Sequence, residues 1–575
     1  MDYLEQYNNW LNSPNLSDAE KEELRGIAGD KKEIKSRFFR QLEFGTAGLR
    51  GIMAVGLYRM NIHVIRHTTQ AFAKLILEEK GDNKCVAICF DSRHNSEEFA
   101  KEAACVIAGN GINVRIFESL RPTPELSFAI REYGCIAGIN ITASHNPKEY
   151  NGYKVYWADG AQLPPQHAKS VAKKMKTLDV FSSICSIDYD EAIRRGLITI
   201  MGKETDDLFM KNVMAQANDF NAVKSAADSL KLVYTPFHGC GHKLVPQALK
   251  KLGLKSENII LVKKQMKLDG DFPTVESPNP EEPDGFKLAI ARAKAKGANL
   301  IIGTDPDCDR VGIMVRDDNG DFITISGNQT GVLLLDYIIG AKKRSETMPE
   351  KPVALKTIVT TEMARKIAEK NGVKCYDTFT GFKFMAEKKN KLESKGNGKV
   401  IFSYEESYGY MLGDFVRDKD AVTASMLIAE MAAWYDGQDM TLYKALQKLY
   451  EKYGQYGEKT LNLKMPGLDG IARMRKLMAD LRANPPEKIA DVDVRVRRDY
   501  KNGLETDAQS GNISKMELKG SNVLWYEMQD GTIVIVRPSG TEPKVKVYIL
   551  AHGKTRAKCD EYITKYEAWA NTLAK

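Results

Sequence analysis

The feature that most constrains this chain is a strand–helix–strand pattern that recurs along most of its length. In one copy, the apolar stretch KCVAICF (84–90) precedes the amphipathic segment SEEFAKEAACVIAGNG (96–111), and the strand-like INVRIF (112–117) follows. Such a unit predicts parallel strands joined by a crossover helix. Polar residues gather where the strands end, and open parallel sheets bind ligands at that edge. Comparable units recur at 229–264, 284–304 and 352–407.

The C-terminal part of the chain has a different pattern. NGLETDAQSGNIS (502–514) predicts a loop, GTIVIVRPSGTEPKVKVYILA (531–551) predicts two strands around a turn, and a helix follows. A chain of 575 residues is too long for one hydrophobic core. We therefore expect an α/β protein with three mixed α/β domains plus a C-terminal α+β domain. The predicted domains are 1–200, 201–324, 325–456 and 457–575. The first domain is expected to carry an N-terminal helical extension with a capping box at Ser17 and Glu20.

Composition narrows the class of protein. Hydrophobic residues make up 43% of the chain and charged residues 28%, as in soluble globular proteins. No stretch approaches the roughly 20 apolar residues of a membrane span, and the polar N-terminus does not resemble a secretion signal. The net charge of +8, from 84 basic and 76 acidic residues, fits an enzyme for anionic small molecules better than a nucleic-acid binder. Nine scattered cysteines favour reduced thiols in a cytoplasmic protein.

Three alternating carboxylates occur in the segment GTDPDCDR. In an extended loop Asp305, Asp307 and Asp309 would face the same side, and they would repel one another unless a cation holds them. Oxygen ligands of this kind suit Mg²⁺. The segment does not fit an EF-hand, because Arg310 and Arg316 stand where that loop needs Gly and Glu. The alternative is a solvated acidic turn after a strand.

A serine turn, TASHNP, is followed closely by NGYK. Ser144 and His145 are adjacent, so we expect that their side chains do not easily form the hydrogen bond of a Ser–His catalytic pair. The G-x-S-x-G elbow of hydrolases is also missing from the turn. From the residues alone, Ser144 is either a cap or turn residue or a nucleophile. Lys154 ends a Gly-containing strand and is a base, a phosphate ligand or a solvated lysine.

Two later loops carry groups that suit a phosphosugar. In EESYGYMLGDFVRDKDAV, Glu405 and Ser407 can hydrogen-bond hydroxyl groups, and Arg417 and Lys419 can hold an anion. The alternative is a solvated charged loop. RPSGTEPK combines a guanidinium fork, two hydroxyls and a glycine that allows close backbone approach, and this set suits a phosphate unless the segment is a plain hairpin.

The order of these motifs is more specific than any one of them. TASHNP with NGYK, then DPDCDR, then EES, then RPSGTEP, each in a separate predicted domain, resembles the α-D-phosphohexomutase family. FGTAGLRG (44–51) and TPFHG (235–239) extend the resemblance over nearly the whole chain, and it is closest to the long phosphoglucomutase and phosphopentomutase subgroup. Cys308, where small residues are common, and Tyr404, where the family often has Gly, depart from the pattern. The resemblance implies that the four domains surround a central cleft.

The same resemblance implies a reaction and a set of site residues. Phosphate would move between O1 and O6 of a hexose, from glucose 1-phosphate to glucose 6-phosphate, with glucose 1,6-bisphosphate as intermediate and activator. Ser144 would carry the phosphoryl group and bind Mg²⁺ together with Asp305, Asp307 and Asp309. The other implied catalytic residues are Arg50, His145, Lys154 and Arg310. Among them, Lys154 is the candidate general base. The implied substrate-binding residues are Glu405, Ser407, Lys419, Thr380, Gly381, Lys383, Arg537, Ser539, Gly540 and Thr541.

Other functions compete with a phosphoglucomutase. A phosphopentomutase or phosphomannomutase would share all four motifs, and a metal-dependent sugar phosphatase could use the same aspartates. A phosphosugar-binding protein with a dead site would have lost the serine or an aspartate, and no such loss is seen. We expect a phosphosugar as the partner, no nucleic acid and no membrane, a monomer or homodimer, and a C-terminal domain that acts as a mobile lid.

Overall fold

The computed structural model describes residues 2–45, 48–80, 84–465, 469–539 and 544–574. They form two compact units. The first contains Met1–Gly327 and Ser407–Thr441, and the second contains Asn328–Glu406 and Leu442–Lys575. The chain therefore leaves the first unit, returns to it for a short segment, and ends in the second.

The helices and strands alternate over much of the described chain. The helices are α1 Tyr3–Leu11, α2 Asp18–Gly26, α3 Lys31–Phe38, α4 Ile62–Glu78, α5 Ser96–Gly109, α6 Thr123–Glu132, α7 Pro165–Met175, α8 Tyr189–Arg194, α9 Lys203–Met214, α10 Phe220–Ser225, α11 Gly241–Leu252, α12 Lys263–Met266, α13 Lys287–Lys296, α14 Gly327–Arg344, α15 Met363–Lys370, α16 Phe382–Ser394, α17 Ala421–Asp436, α18 Leu442–Tyr453, α19 Gly470–Ala483 and α20 Arg556–Thr572. The strands are β1 Leu49–Ile52, β2 Cys85–Phe90, β3 Asn113–Phe117, β4 Ala137–Ile141, β5 Tyr150–Trp157, β6 Ile198–Met201, β7 Leu232–Thr235, β8 Ile259–Leu261, β9 Leu300–Thr304, β10 Val311–Arg316, β11 Phe322–Ile325, β12 Pro352–Thr357, β13 Lys374–Thr378, β14 Lys399–Glu405, β15 Gly409–Met411, β16 Gln455–Lys464, β17 Lys488–Ile489, β18 Val492–Asp499, β19 Leu504–Asp507, β20 Ile513–Lys515, β21 Leu524–Met528, β22 Ile533–Pro538 and β23 Lys544–Gly553.

A six-stranded mixed sheet in the first unit has the strand order β1-β5-β4-β2-β3-β6. β4, β2, β3 and β6 are parallel, and β5 is antiparallel to both of its neighbours. The first predicted crossover unit is confirmed as β2–α5–β3. Alternate residues of β2 pack on opposite faces, because Val86 and Ile88 join a core with α5 whereas Ala87 and Cys89 join one with α6. This double burial explains why the strand is apolar throughout.

A second sheet of the first unit has the order β11-β10-β9-β7-β8. β7, β8 and β9 are parallel, whereas β10 turns back antiparallel to β9, with Thr304 paired to Val311. The six aspartate-loop residues 305–310 therefore connect two antiparallel strands. The expectation of an extended loop was wrong, because the return of β10 forces a tight turn, and Cys308 has a φ of +52° within it.

The second unit contains a parallel set, β13-β12-β14, and a larger antiparallel sheet, β16-β23-β22-β21-β18-β19-β20. One apolar cluster joins them, because Ile358 and Phe379 pack with Tyr500 and Ile535. The two predicted strands around RPSGTEPK are β22 and β23, and the closing helix is α20. The prediction of a loop over 502–514 was wrong, since this stretch forms β19, the following turn and the start of β20.

Smaller sequence predictions also have clear outcomes. The capping box is confirmed, because Ser17 accepts from the backbone N–H of Glu20 and the Glu20 carboxylate accepts in return. All nine cysteines lie in the described ranges and are free thiols. Among the helices that the structure describes, none is both long enough and apolar enough to cross a bilayer.

Candidate active site

Ser144 lies in the turn that follows β4, with a φ of +55° in the left-handed region. Its Oγ is 2.9 Å from Oδ2 of Asp305 and 3.3 Å from Nδ1 of His145. The side chain of Thr142 accepts a hydrogen bond from the Ser144 N–H at 2.8 Å. The expectation that adjacent serine and histidine side chains stay apart was therefore wrong, because this left-handed turn does not send them to opposite sides as an extended strand would.

A buried arginine holds the backbone of this turn. The Arg93 guanidinium donates to three of its carbonyls, those of Ser144 at 2.6 Å, Asn146 at 2.5 Å and Pro147 at 2.8 Å. Asp91, buried at the end of β2, pairs with Arg93 at 3.2 Å. The left-handed conformation of the serine is thus held by charge-assisted hydrogen bonds that Arg93 donates to backbone carbonyls of the turn.

The three aspartates converge although their loop is a tight turn. Asp305, Asp307 and Asp309 are buried, and each offers one oxygen within 4.8 Å of the others. Oδ1 of Asp305 accepts from the backbone N–H groups of Asp309 and Arg310 at 3.1 and 2.9 Å. The loop's own amides therefore fix the first carboxylate, and the turn brings the other two beside it.

Two lysines face the aspartates from other elements of the first unit. Nζ of Lys154, on β5, lies 2.6 Å from Oδ2 of Asp307 and 3.3 Å from Oδ2 of Asp309. Nζ of Lys419 lies 3.1 Å from Asp309 and 3.2 Å from Asp418. Both lysines are largely buried. The acidic loop is therefore an enclosed ionic cluster and not a solvated turn.

The predicted arginines lie at the edge of this cluster. Arg50, on β1, is exposed and donates to Oδ1 of Asn146 at 2.9 Å. Arg310 follows the last aspartate and donates to Glu281 at 2.8 Å. Both side chains are thus held by polar neighbours in the first unit.

Charge is distributed unequally over the three carboxyl groups. Burial, with the neighbouring Asp307 and Asp309, raises the pKa of Asp305 well above its usual range. Burial by itself would raise the pKa values of Asp307 and Asp309 as well. The charge of Lys154 outweighs burial at Asp307, and the charges of Lys419 and Lys154 outweigh it at Asp309, so both pKa values are lowered. Burial would lower the pKa of Lys154, but the two aspartates raise it above its usual value. Asp305 is therefore the one of these three carboxyl groups whose protonated form burial and its neighbours favour.

This donor set fits a divalent cation. Oδ1 of Asp307 and Oδ1 of Asp309 are buried and have no hydrogen-bond partner among the residues that the structure describes. Buried polar atoms are normally satisfied, so such orphaned oxygens need an explanation. Hard carboxylate oxygens close together are the ligands that Mg²⁺ prefers.

Two glycines let the loops approach each other. A Cβ on Gly152 would lie 2.4 Å from the carbonyl oxygen of Thr142, and a Cβ on Gly239 would lie 2.4 Å from Cα of Pro306. The motifs NGYK and TPFHG therefore need glycine, because β5 touches the serine turn at the first position and the turn after β7 touches the aspartate loop at the second.

The predicted sugar-binding residues, apart from Ser407 and Lys419 of the first unit, belong to the second unit. Glu405 ends β14, is largely buried and accepts a hydrogen bond from the N–H of Gly381. Thr380 and Lys383 flank that glycine and are partly buried. Burial lowers the pKa of Lys383 to about 8. The loop before α16 and the end of β14 thus meet in one place.

The predicted phosphate loop follows β22 in the same unit. Nη1 of Arg537 is 3.5 Å from the hydroxyl of Tyr548, and the N–H of Ser539 donates to Lys544 at 2.8 Å. Burial and Glu405 raise the pKa of Glu406 to about 7, against the lowering effect of Lys546 and Arg537. The end of β14 and residues at the base of the predicted phosphate loop therefore act on one carboxyl group. Gly540 and Thr541 lie outside the described residues.

Several residues that hold the site were missed by sequence reasoning. Arg93 and Asp91 hold the serine turn, Thr123 contacts Asp307, and Asp418 contacts Lys419. The polar residues after β2, in the segment DSR, could have been found because they too follow a strand end. Thr123 gives no comparable signal, because it opens a helix.

Most of the chain matches one set of family models. The models for phosphoglucomutase/phosphomannomutase α/β/α domains I, II and III match residues 41–180, 207–320 and 326–453, and the model for the C-terminal domain matches residues 461–562. Together the matches cover far more than half of the sequence. The chain belongs to the phosphoglucomutase/phosphomannomutase family. It has the four-domain α/β architecture of that family.

Named relatives agree with this assignment, and a solved structure has a similar fold. The chain is 37% identical over 514 residues to a phosphoglucomutase of Staphylococcus haemolyticus. The matched region covers 89% of this chain and 90% of that protein. It is 35% identical over 523 residues to a phosphoglucomutase of Staphylococcus aureus, covering 90% and 91%. The fold resembles that of a phosphoglucomutase/phosphomannomutase family protein from Burkholderia thailandensis, with a TM-score of 0.65 at 18% identity over 92% of this chain and 97% of that one.

Proposed function

We propose that this protein is a phosphoglucomutase, an isomerase that interconverts glucose 1-phosphate and glucose 6-phosphate through a phosphoserine at Ser144. The observation that carries the proposal is the 2.9 Å approach of the Ser144 Oγ to Asp305 within the aspartate cluster. The relatives named above are phosphoglucomutases, and they support the same activity. In the proposed cycle Ser144 gives its phosphoryl group to one end of the sugar, glucose 1,6-bisphosphate forms, and the serine takes back the phosphate of the other end.

Asp305, Asp307 and Asp309, together with the seryl oxygen, are the proposed Mg²⁺ ligands. A phosphoserine carries about −1.5 to −2 charges at neutral pH, so three carboxyl groups that face it need positive charge beyond that of Lys154 and Lys419. When bound, Mg²⁺ would neutralise charge that develops on the transferred phosphoryl oxygens. The two orphaned carboxylate oxygens support this assignment.

Lys154 is the proposed general base for the attacking sugar hydroxyl. A base must be neutral when it accepts the proton, and its bonds to Asp307 and Asp309 keep this amine protonated. The role therefore requires that these carboxylates be engaged elsewhere at that step. Arg50, His145 and Arg310 are the proposed neighbours of the transferred group.

Glu405 and Ser407 are proposed to bind sugar hydroxyls. Thr380, Gly381, Lys383 and Lys419 are proposed to support them, and Arg537, Ser539, Gly540 and Thr541 to bind the phosphate that does not react. A sugar with the wrong hydroxyl geometry would leave a buried polar group unpaired, which costs about 1–3 kcal/mol. This cost is the proposed source of a preference for glucose. The proposal also includes a cytoplasmic location and a monomeric or homodimeric state. Its domain boundaries are 1–200, 201–324, 325–456 and 457–575.

One assay separates this function from its competitors. Purified protein is given glucose 1-phosphate, Mg²⁺ and a trace of glucose 1,6-bisphosphate, and both glucose 6-phosphate and free phosphate are measured. Glucose 6-phosphate without free phosphate is expected. Release of free phosphate would instead indicate a phosphatase, and no product would indicate a binding protein. Comparing kcat/KM on the 1-phosphates of glucose, mannose, ribose and deoxyribose then tests the sugar, and a clear preference for ribose would overturn the glucose assignment.

A further inference from the structure

We propose that Thr123 is a positioning residue that orients Asp307 for the cation. This inference rests on the proposed function, because it assigns Asp307 a metal-binding role. Thr123 is completely buried at the first position of α6. It is not among the residues that the motifs single out, and it lies 184 positions before the aspartate that it contacts.

Thr123 contacts Asp307 twice. Its Oγ1 donates to Oδ2 of Asp307 at 2.8 Å, and its backbone N–H donates to the carbonyl oxygen of Asp307 at 2.8 Å. The hydroxyl in turn accepts from Nδ2 of Asn140 at 2.8 Å, which fixes the direction of its proton toward the carboxylate. Asn140 lies on β4, the strand that leads into the Ser144 turn. A buried chain of hydrogen bonds thus connects the strand of the serine to the aspartate loop.

The direction of these bonds explains why a threonine is useful here. Oδ2 of Asp307 accepts hydrogen bonds from Thr123 and Lys154, whereas Oδ1 is buried and has no partner within the described part of the chain. With one oxygen fixed, the carboxylate cannot rotate to satisfy the other. The free oxygen is therefore held ready as a ligand. Hydrogen-bond partners of metal ligands typically contribute 10–100-fold to metal affinity.

The test compares Thr123→Val, which keeps the shape but removes the hydroxyl, with Thr123→Ser, which keeps the hydroxyl. Thr205→Val is the matched control, because Thr205 is equally buried and its hydroxyl bonds Tyr133 at 2.8 Å, away from the aspartates. Thr123→Ala, which leaves more space, replaces the valine variant if the latter fails to fold. Mg²⁺ affinity of each purified protein is measured by calorimetric titration with Mg²⁺ alone, and kcat and KM are measured separately.

We expect Thr123→Val to weaken Mg²⁺ binding by about 10-fold or more and to lower kcat with little change in KM for the sugar, and we expect Thr123→Ser to restore both. Wild-type Mg²⁺ affinity in a folded Thr123→Val or Thr123→Ala protein would overturn the proposal. So would an equal loss in Thr123→Ser or in Thr205→Val, since that would indicate a general packing effect. If the wild-type protein itself neither binds Mg²⁺ nor isomerises glucose 1-phosphate, the proposed function fails, and this outcome is distinct from the others.

A different observation carries a second inference: the geometry points to Cys85 and Cys135 as a peroxide-reactive thiol pair. Their Sγ atoms are 3.3 Å apart. They lie at the starts of neighbouring parallel segments, because the carbonyl of Cys85 accepts from the N–H of Ile136 and Val86 pairs with Ala137. Cys85 is half-buried, whereas Cys135 is buried. The pair thus consists of a partly accessible thiol, that of Cys85, and a buried thiol beside it, that of Cys135.

The surroundings favour the thiolate of Cys85. The Cys135 thiol donates to the Cys85 sulfur, and this bond together with the Arg115 guanidinium lowers the pKa of Cys85 despite burial. Arg115 lies over the ring of Tyr133, 4.3 Å from its centroid, so the cation is held in place. Low-pKa, accessible thiols beside a second cysteine are the ones that oxidise selectively.

In the proposed step the Cys85 thiolate attacks hydrogen peroxide, an S–O bond forms as the O–O bond breaks, and one water leaves after protonation. The Cys135 thiol then attacks the oxidised sulfur, the disulfide forms and a second water leaves. Two thiols are oxidised and one peroxide is reduced to two waters. The exposed Cys185 provides a comparison thiol in the same protein.

The test treats the intact protein with hydrogen peroxide, alkylates the remaining thiols and maps peptides by mass spectrometry. We expect a Cys85–Cys135 disulfide to form before Cys185 is modified and to be reversed by dithiothreitol. In Cys135→Ser we expect a sulfenic acid at Cys85 that a dimedone probe traps. Absence of the disulfide, or oxidation of Cys185 before Cys85, would overturn this inference.

Discussion

At the scale of single residues, the serine turn depends on a backbone conformation that non-glycine residues rarely adopt. Ser144 keeps a left-handed φ because Arg93 binds the carbonyls on its C-terminal side and Thr142 binds its amide. Such strain is typical of functional positions and costs on the order of 1–3 kcal/mol. The side chain, rather than the backbone, is therefore the part of Ser144 that a substitution can remove without disturbing the turn.

Replacing Ser144 with alanine should abolish turnover, because no other oxygen would carry the phosphoryl group. We expect kcat to fall at least about a thousand-fold, as for the loss of a covalent nucleophile. Peptide mapping of the wild-type enzyme should show a phosphopeptide that contains residue 144 and that the variant lacks. Ser186→Ala, at an exposed serine, is the control. Near-normal turnover in Ser144→Ala would contradict the phosphoserine mechanism.

Replacing Asp307 with asparagine should weaken Mg²⁺ binding strongly, because an anionic ligand is lost from a buried cluster. Chelation followed by dialysis should abolish the activity of the wild-type enzyme, and added Mg²⁺ should restore it. Calorimetric titration and steady-state assays measure the two effects. Full activity of the wild-type enzyme in excess chelator would rule out a required metal.

Asp420 predicts a pH dependence of stability. It is completely buried, and burial raises its pKa to about 6, against the bonds from Thr423 and Val422 that lower it. The folded state therefore binds a proton more tightly than the unfolded chain, so the stabilisation is complete below about pH 4 and is lost as the pH rises through 6. We expect Asp420→Asn to match the wild type at pH 4 and to be more stable by about 3 kcal/mol at pH 7.5, which is two pKa units.

Melting temperatures of both proteins across this pH range measure the Asp420 effect. Asp190→Asn, at an exposed aspartate, controls for the loss of a negative charge. A difference between wild type and Asp420→Asn that does not grow with pH would show that Asp420 is ionised throughout.

Sequence reasoning singled out the proposed catalytic residues more readily than the residues that hold them in place. Ser144 and the aspartates lie in short motifs whose composition indicates their chemistry. Their partners come from far along the chain, as Thr123 and Lys419 do, and no local spacing connects them. Side-chain direction was also hard to predict, because the argument from alternation fails wherever the backbone turns left-handed.

At the scale of elements, periodicity predicted the buried parallel strands well and the exposed C-terminal strands poorly. β2 and β9 are continuous apolar runs, because both faces of their sheets are covered. β19 and β20 are polar and lie at the edge of their sheet, so their sequence resembles a loop. β19 is held by pairing with β18 and β20 by pairing with β19, and a local sequence pattern does not contain these pairings.

The close approach of β5 to the serine turn predicts a sensitive glycine. Gly152→Ala would place a Cβ 2.4 Å from the carbonyl oxygen of Thr142. We expect a loss of about 1–3 kcal/mol in stability, typical of overpacking, and a clear fall in kcat because the displaced strand end precedes Ser144. Gly26→Ala is the matched control, since no atom of the described ranges lies within 4 Å of its added Cβ. Unchanged melting temperature and kcat in Gly152→Ala would show that the two segments can separate at no cost.

At the scale of the whole molecule, the proposed binding of the non-reacting phosphate by Arg537 predicts a remote effect on catalysis. Arg537→Ala should raise KM about tenfold and also lower kcat, because binding of the distant phosphate positions the reacting end. Phosphorylation of Ser144 and Mg²⁺ affinity should stay nearly unchanged. Arg475→Ala, at an exposed arginine, is the control. A lower melting temperature with unchanged KM would show that Arg537 is only structural.

The expected lid motion of residues 457–575 has its own test. Small-angle scattering should show a smaller radius of gyration when glucose 1-phosphate is added to the Mg²⁺-loaded enzyme. The Ser144→Ala variant allows the measurement without turnover. No compaction at saturating phosphosugar would count against a lid.

The discontinuous make-up of the first unit has a consequence for how the protein is synthesised. Asp309 leaves the ribosome 110 residues before Lys419, its partner at 3.1 Å, and the whole of 328–406 is made in between. A nascent chain that stops after Gly327 holds the serine and all three aspartates but lacks one of their two lysines. The ionic cluster therefore becomes complete only after a segment of the other unit has been translated. The N-terminal half alone does not contain all the residues of the cluster.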